Sequence, residues 1–235
     1  MKTIGLLGGM SWESTVLYYR IINETVKEKL GGLHSAKLVL HSQDFEEIAS
    51  LQRAGAWDEA GQRLGRAAQS LRTAGADFLV ICTNTMHVVA DAVEAAAGMP
   101  LFHIVDPTAE EIRRCGVRKV GLIGTRFTME QDFYKHRLRY RHDIDAVVPD
   151  EADRDVVHKV IFDELCRGIV RDESRQAYRE IIQRLVDRGA EGIILGCTEI
   201  TMLISPDDAS VPVFDTTALH ARKAAERALS SGHSS

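Results

Sequence analysis

The chain repeats itself at a nearly constant spacing, and nothing else in the sequence limits its fold as much. Lys2-Thr3-Ile4-Gly5-Leu6-Leu7-Gly8-Gly9 resembles Arg118-Lys119-Val120-Gly121-Leu122-Ile123-Gly124-Thr125, an offset of 121 − 5 = 116 between Gly5 and Gly121. A longer stretch, Ala74–Thr85, aligns with Arg188–Glu199. There Gly75 meets Gly189 and Thr83 meets Cys197, an offset of 197 − 83 = 114. Glycine-rich turns and apolar strands common to all α/β units would account for either match taken singly. Two matches at nearly equal offsets imply two similar lobes.

Between the matched stretches, short apolar runs alternate with helical periodicity. Runs at Ile4–Leu7, Leu38–His41, Phe78–Ile81, Leu101–Val105, Val120–Ile123, Ala146–Val148, Gly192–Leu195 and Val211–Phe214 read as strands. Trp12–Leu30 reads as a helix capped by Ser11, and Asp44–Ala74 as helix-rich. Another helix follows Asn84-Thr85-Met86-His87 and runs to Ala97. Strand and helix in alternation specify an α/β fold, here two pseudo-symmetric lobes, each a mainly parallel sheet flanked by helices. The expected division is residues 1–99 for the first lobe and 100–207 for the second, with a C-terminal helix in 208–235 packing back on the first. In such sheets ligands bind at the carboxyl ends of the strands. The expected site is therefore a cleft between the lobes, to which equivalent strand ends bring Thr83 and Cys197.

Composition removes several function classes. With a formal net charge of −5 and 27% charged residues, the chain lacks the basic excess of a nucleic-acid or membrane-surface binder. The run Lys135–His142 is most simply a solvated helix face. No apolar run reaches membrane-spanning length, and the opening Met1–Gly9 reads as a strand entering a turn, not as a leader. Cys82, Cys115, Cys166 and Cys197 form no C-x-x-C pair and no zinc spacing, and the histidines add none. The cysteines read as reduced thiols of a cytoplasmic protein, with no metal and no partner nucleic acid or membrane.

Three strand ends carry residues suited to chemistry. In Leu195-Gly196-Cys197-Thr198-Glu199 an apolar strand delivers a thiol to the start of the next turn, where helix N–H groups are expected to lower its pKa. In Cys82-Thr83-Asn84-Thr85-Met86-His87, consecutive hydrogen-bonding side chains follow a buried strand, a costly place for polar groups without partners. Asn84 and Thr85 suit an α-carboxylate, and His87 is either a base or a packing residue. The Gly8-Gly9-Met10-Ser11 turn is neither G-x-G-x-x-G nor a P-loop, but its N–H groups at Met10 and Ser11 suit an anionic oxygen. Thr125 is the repeat counterpart of that turn.

These motifs, Gly5-Leu6-Leu7-Gly8-Gly9-Met10, Thr83-Asn84-Thr85-Met86-His87 and Gly196-Cys197-Thr198-Glu199, resemble in order and spacing those of the aspartate/glutamate racemase family. The likeness covers almost the whole chain and is nearest to the enterobacterial L-aspartate/glutamate-specific or broad-specificity amino-acid racemases. It implies racemisation of an amino acid without pyridoxal phosphate or any other cofactor, by a homodimer. It also implies two groups flanking the substrate α-carbon, normally both cysteines. Here the register fixed by Asn84-Thr85 puts Thr83, not Cys82, at the first position.

An alcohol is a poorer base than a thiolate. The resemblance therefore implies that Cys197 deprotonates the L-enantiomer while Thr83 serves the opposite face, with turnover kinetically biased from L to D. Asn84, Thr85 and Thr198 are the expected carboxylate donors and Glu199 the ammonium partner. Gln52 and Arg53 are expected near the distal group, Arg53 pairing an acidic side chain such as that of L-glutamate or L-aspartate. Other chemistry on the same scaffold, such as a hydantoin racemase, maleate isomerase or decarboxylase, is a second reading. A non-catalytic amino-acid-binding protein is a third.

Overall fold

A computed structural model describes residues 1–230 of the chain. It divides into two compact units, one formed by Met1–Ile104 and the chain from Thr217 onward, the other by Val105–Thr216.

The first unit begins with β1 (Ile4–Gly8), α1 (Trp12–Leu30), β2 (Leu38–Ser42), α2 (Phe45–Ala54), α3 (Trp57–Thr73), β3 (Phe78–Ile81) and α4 (Ala90–Ala97). Its sheet is parallel, in the order β2-β1-β3. The second unit holds α5 (Val105–Arg114), β4 (Lys119–Gly124), α6 (Arg126–Glu130), α7 (Asp132–His142), β5 (Asp145–Val147), α8 (Glu151–Asp163), α9 (Asp172–Asp187), β6 (Ile193–Gly196) and β7 (Val213–Asp215). Its sheet is parallel too, in the order β5-β4-β6-β7. The last helix, α10 (Thr216–Leu229), returns to the first unit.

The repeat is a repeat of strand pairing. In the first sheet Gly5 lies opposite Leu79. In the second, Gly121 lies opposite Ile193. These partners are separated by 121 − 5 = 116 and 193 − 79 = 114, the two sequence offsets. Even the fourth strand has a trace in the first unit: Leu101 makes a lone parallel bridge to Leu79, where β6 pairs with β7 in the second.

Side-chain alternation, with its period of two, sorts each strand's residues onto two faces. Leu7, Leu79 and Ile81 join Leu64, Ala68 and Leu71 of α3 and Val93 of α4. Ile4, Leu6, Phe78, Val80 and Cys82 join Tyr18 and Ile22 of α1 and the small stripe Ala221, Ala224, Ala225 and Ala228 of α10. That stripe recurs at helical spacing and lets α10 lie close to the sheet.

Several boundaries differ from the sequence reading. Asp44–Ala74 is two helices, because Gly55 adopts a left-handed conformation (φ 66°) and terminates α2. Leu101–Val105 is not a strand: beyond the lone bridge the chain turns into α5. The first unit extends past residue 99 because the 100–102 backbone hydrogen-bonds along β3, through Leu79 N–H to Pro100 O and Phe102 N–H to Leu79 O. The return to the first unit begins at Thr217, not at residue 208, because β7 is held by β6. The end of the expected helix, residues 231–235, lies outside the described residues. Ser11 caps α1 as expected, its side chain accepting from Ser14 N–H.

Candidate active site

In each unit two neighbouring strands end together, and the residues after them form a polar rim at the carboxyl edge of the sheet. In the first unit Leu7 lies opposite Ile81, so the Gly8-Gly9-Met10 turn and the Cys82-Thr83 turn leave the sheet side by side. In the second, Gly124 lies opposite Gly196, so Thr125 and Cys197 follow directly on paired residues. Glycine is required there: a Cβ on Gly124 would sit 2.8 Å from the Gly196 carbonyl oxygen.

Around the first rim, Thr15 anchors the turn, its hydroxyl oxygen accepting from Gly9 N–H at 2.8 Å. Gly9 itself has φ +85°, and a Cβ there would lie 2.2 Å from the Gln43 carbonyl oxygen. Met10 packs its side chain into the core beside Ile48 and Met86, so only its main chain is left to meet a ligand. Asn84 and Thr85 are buried at the start of a 3-10 turn (Thr85–Val89). Gln52 is buried on α2 and directs its amide Nε2 at Met86 Sδ, 3.0 Å away. Met86, which directly follows the Thr83-Asn84-Thr85 turn, thus shares a core cluster with Met10 and receives the Gln52 amide.

The structure does not bring Arg53 to them. One residue along the helix turns the side chain by about 100°, and Arg53 lies on the exposed face, bonded to Glu46 and Ser50. The expected cation for an acidic substrate group is therefore directed elsewhere.

Cys82 continues the face of Phe78 and Val80 beyond the end of β3. It packs with Val80, Tyr18 and Ala221, and burial pushes its thiol far above the ordinary range. A thiol that does not ionise is inert as a base.

His87 is committed at both nitrogens. Nδ1 lies 2.8 Å from the Thr83 carbonyl oxygen, and Nε2 lies 3.2 Å from Ile104 N–H. A carbonyl only accepts and a backbone N–H only donates, so the ring is neutral with its proton on Nδ1. The base role weighed for His87 is excluded by these two bonds.

In the second unit, Thr125 caps α6, its hydroxyl oxygen accepting from Thr128 N–H. Thr198 and Glu199 are buried in a 3-10 turn (Thr198–Met202) for which Cys197 is the cap residue. The thiol donates to Glu199 Oε2 at 2.9 Å. Its pKa runs opposite to the sequence expectation. Burial first, and then the negative charge of Glu199, push it well above the usual thiol value. A single 3-10 turn supplies too few aligned N–H groups to offset this. The acceptor relation between Glu199 and Cys197 was hidden behind the ammonium role, although its spacing of two residues was visible.

Among the described residues, no group of three or more His, Cys, Asp or Glu side chains is arranged to hold a metal ion. No helix among them is long and apolar enough to cross a membrane.

Residues 7–224 match the profile of the Asp/Glu/Hydantoin racemase family. The chain belongs to this family. Its fold is close to that of a crystal structure from Yersinia pestis solved as a candidate Asp/Glu racemase, with 58% identity, a TM-score of 0.92, and coverage of 97% of this chain and 100% of that one. An aspartate racemase homologue from Pyrococcus horikoshii OT3 is 37% identical with a TM-score of 0.84, again over 97% and 100% of the two chains. The broad specificity amino-acid racemase RacX of Bacillus subtilis (strain 168) is 23% identical over 172 residues, 70% of either chain. As a member of a racemase family the chain is an enzyme, an isomerase.

Proposed function

We propose that the enzyme racemises a free amino acid by removing and returning the α-proton, with Cys197 acting on the L-enantiomer and Thr83 serving the opposite face of the α-carbon. The observation that carries this reading is the buried Cys197–Glu199 pair at the end of β6, at the place that the repeated register makes equivalent to Thr83. The thiol alone is too weak an acid to supply thiolate near neutrality. The Glu199 carboxylate accepts the hydrogen bond of the thiol and pairs with the α-ammonium of a bound amino acid, whose positive charge favours the thiolate as the thiol proton leaves to solvent. Glu199 thereby keeps its expected ammonium role and orients the thiol as well.

Asn84, Thr85 and Thr198, together with the main chain at Met10, are the donors for the α-carboxylate, whose hydrogen bonds stabilise the carbanion. Thr125 adds a hydroxyl at the sheet edge that carries Cys197. Thr83 returns the proton as an alcohol and takes one poorly, so conversion from L to D is the faster direction at low conversion. Equal stabilities of the enantiomers keep the equilibrium constant at unity.

L-glutamate and L-aspartate remain the first substrates to test. With Arg53 directed outward, the buried Gln52 amide is the group left for the distal end. It suits glutamine and asparagine as well, and broad specificity follows. The cytoplasmic homodimer expected from the resemblance belongs to the same proposal, and sedimentation of the purified enzyme tests the dimer.

The deciding experiment incubates the enzyme with each L- and D-amino acid in D2O and follows α-deuteration with chiral chromatography. Deuterated D-product from L-substrate, faster than the reverse, is expected, and Cys197→Ser should abolish it. Binding without any exchange would leave a non-catalytic receptor, and exchange restricted to hydantoins would move the chemistry to that substrate class.

A further inference from the structure

We propose that His87 is a positioning residue that aims the Thr83 side chain by fixing the peptide plane that follows it. This rests on the reading of Thr83 as the group serving the second face of the α-carbon.

Thr83 lies between two peptide planes. The plane before it carries the Cys82 carbonyl, which accepts from Ser14 Oγ of α1 at 3.3 Å. The plane after it carries the Thr83 carbonyl, which accepts from His87 Nδ1–H at 2.8 Å. Holding both planes fixes φ and ψ of the residue between them. A β-branched side chain then has little torsional freedom left, so the direction of the hydroxyl is set by the backbone.

The two restraints are unequal. Ser14 has a single hydroxyl proton and two carbonyls within reach, Ser11 O at 3.0 Å and Cys82 O at 3.3 Å. The His87 Nδ1 proton faces the Thr83 carbonyl as long as Nε2 accepts from Ile104 N–H. The Ile104 donor is what holds the tautomer. Ile104 is itself held, because Phe102, two residues back, donates its N–H to Leu79 O and accepts from His220 Nε2–H. His220 Nδ1 takes the Tyr18 hydroxyl at 2.8 Å, and its ring stands 5.8 Å from that of His87. The turn that carries Thr83 is thus tied, through one neutral imidazole, to a segment fixed against β3 and α10.

Two substitutions at position 87 separate the two bonds. In His87→Asn the side-chain amide nitrogen falls near the place of Nδ1 and keeps the donor to Thr83 O. In His87→Gln the amide oxygen reaches the place of Nε2 and keeps the acceptor for Ile104, but the donor to Thr83 is lost. With L-glutamate in D2O, two quantities are measured: D-product formed, and deuterium gained by the remaining L-substrate, which reports proton removal and return at Cys197 alone. His87→Gln should lower the ratio of D-product to deuterated L-substrate by tenfold or more, with KM changed less than threefold. His87→Asn should hold the ratio within threefold of the parent.

Equal ratios in both variants and in the parent, with both quantities falling together, would overturn the proposal and make His87 a core residue only. Should His87→Gln fail to give the parent's far-ultraviolet circular dichroism, Ser14→Ala decides. It releases the other plane and should lower the same ratio by a smaller factor, and an unchanged ratio counts against the proposal. Thr83→Ala keeps the two readings apart. If it leaves D-product formation intact, the assignment of Thr83 fails, whatever His87 does.

Discussion

The two strand ends that the repeat makes equivalent reach opposite chemical states. At the end of β6 stands a thiol with an acceptor beside it, Glu199 at 2.9 Å, in buried surroundings. At the end of β3 the corresponding atom is an alcohol without a neighbouring carboxylate in its turn, and the protein's effort goes into holding the backbone around it. In the proposed mechanism one end removes a proton and the other returns one. A duplicated fold need not duplicate chemistry: the register is kept to the residue while the group at its tip, and the way that group is supported, diverge.

The largest effect expected from disturbing this asymmetry is at the thiol. Cys197→Ser should lower racemisation of the L-enantiomer by on the order of a thousandfold or more, measured as α-deuteration in D2O. Next, Thr83→Cys should raise the D-to-L rate by on the order of tenfold or more by supplying an ionisable base. The ratio of initial rates from the two enantiomers should then approach unity, and a ratio that stays put would show that the asymmetry does not originate in the hydroxyl.

The pH dependence tests the elevated thiol directly. Since its pKa lies above the usual value, the thiolate fraction grows with pH throughout the neutral range. Thus kcat/KM for the L-enantiomer should climb between pH 7 and 9, by up to about tenfold per unit. A plateau already established at pH 7 would mean that the thiol is ionised despite burial.

A smaller effect is expected from the close strand pair. Gly124→Ala should destabilise the second unit by about 1–3 kcal/mol, because its methyl group meets backbone, not a side chain that can move aside. Urea unfolding measures this. The smallest effects concern the distal group. Gln52→Ala should raise KM for glutamine or glutamate about fivefold, the worth of roughly one hydrogen bond, and Arg53→Ala should change it less than twofold. A large effect at Arg53 would return that residue to the substrate.

What was legible in the sequence is what local pattern dictates. The two offsets are register, and register is fixed by apolar alternation along buried strands, so Gly5–Leu79 and Gly121–Ile193 could be read without coordinates. The same alternation put Cys82 on the face of Phe78 and Val80. The failures have a common cause in solvation and in contacts distant along the chain. The Cys197 thiol was expected to be acidified by a helix end, but how much water is excluded around it depends on residues such as Tyr178 and Ile200 in the same core. Charge alone favours Arg53, and only the helical phase of α2, with Ile48, Ala49 and Gln52 inward, turns it away. Ser14 reaches Cys82 across 68 residues, and no spacing announces such a bond.

The burial of two of the four cysteines has a practical consequence for inhibitor discovery. Cys115 is exposed and Cys166 partly so, whereas Cys82 and Cys197 are shielded. An electrophile will therefore reach Cys115 before it reaches the two shielded thiols. Screening against a Cys115→Ser background, with intact-mass readout under alkaline conditions, is the arrangement in which covalent warheads can report on Cys197, the proposed base.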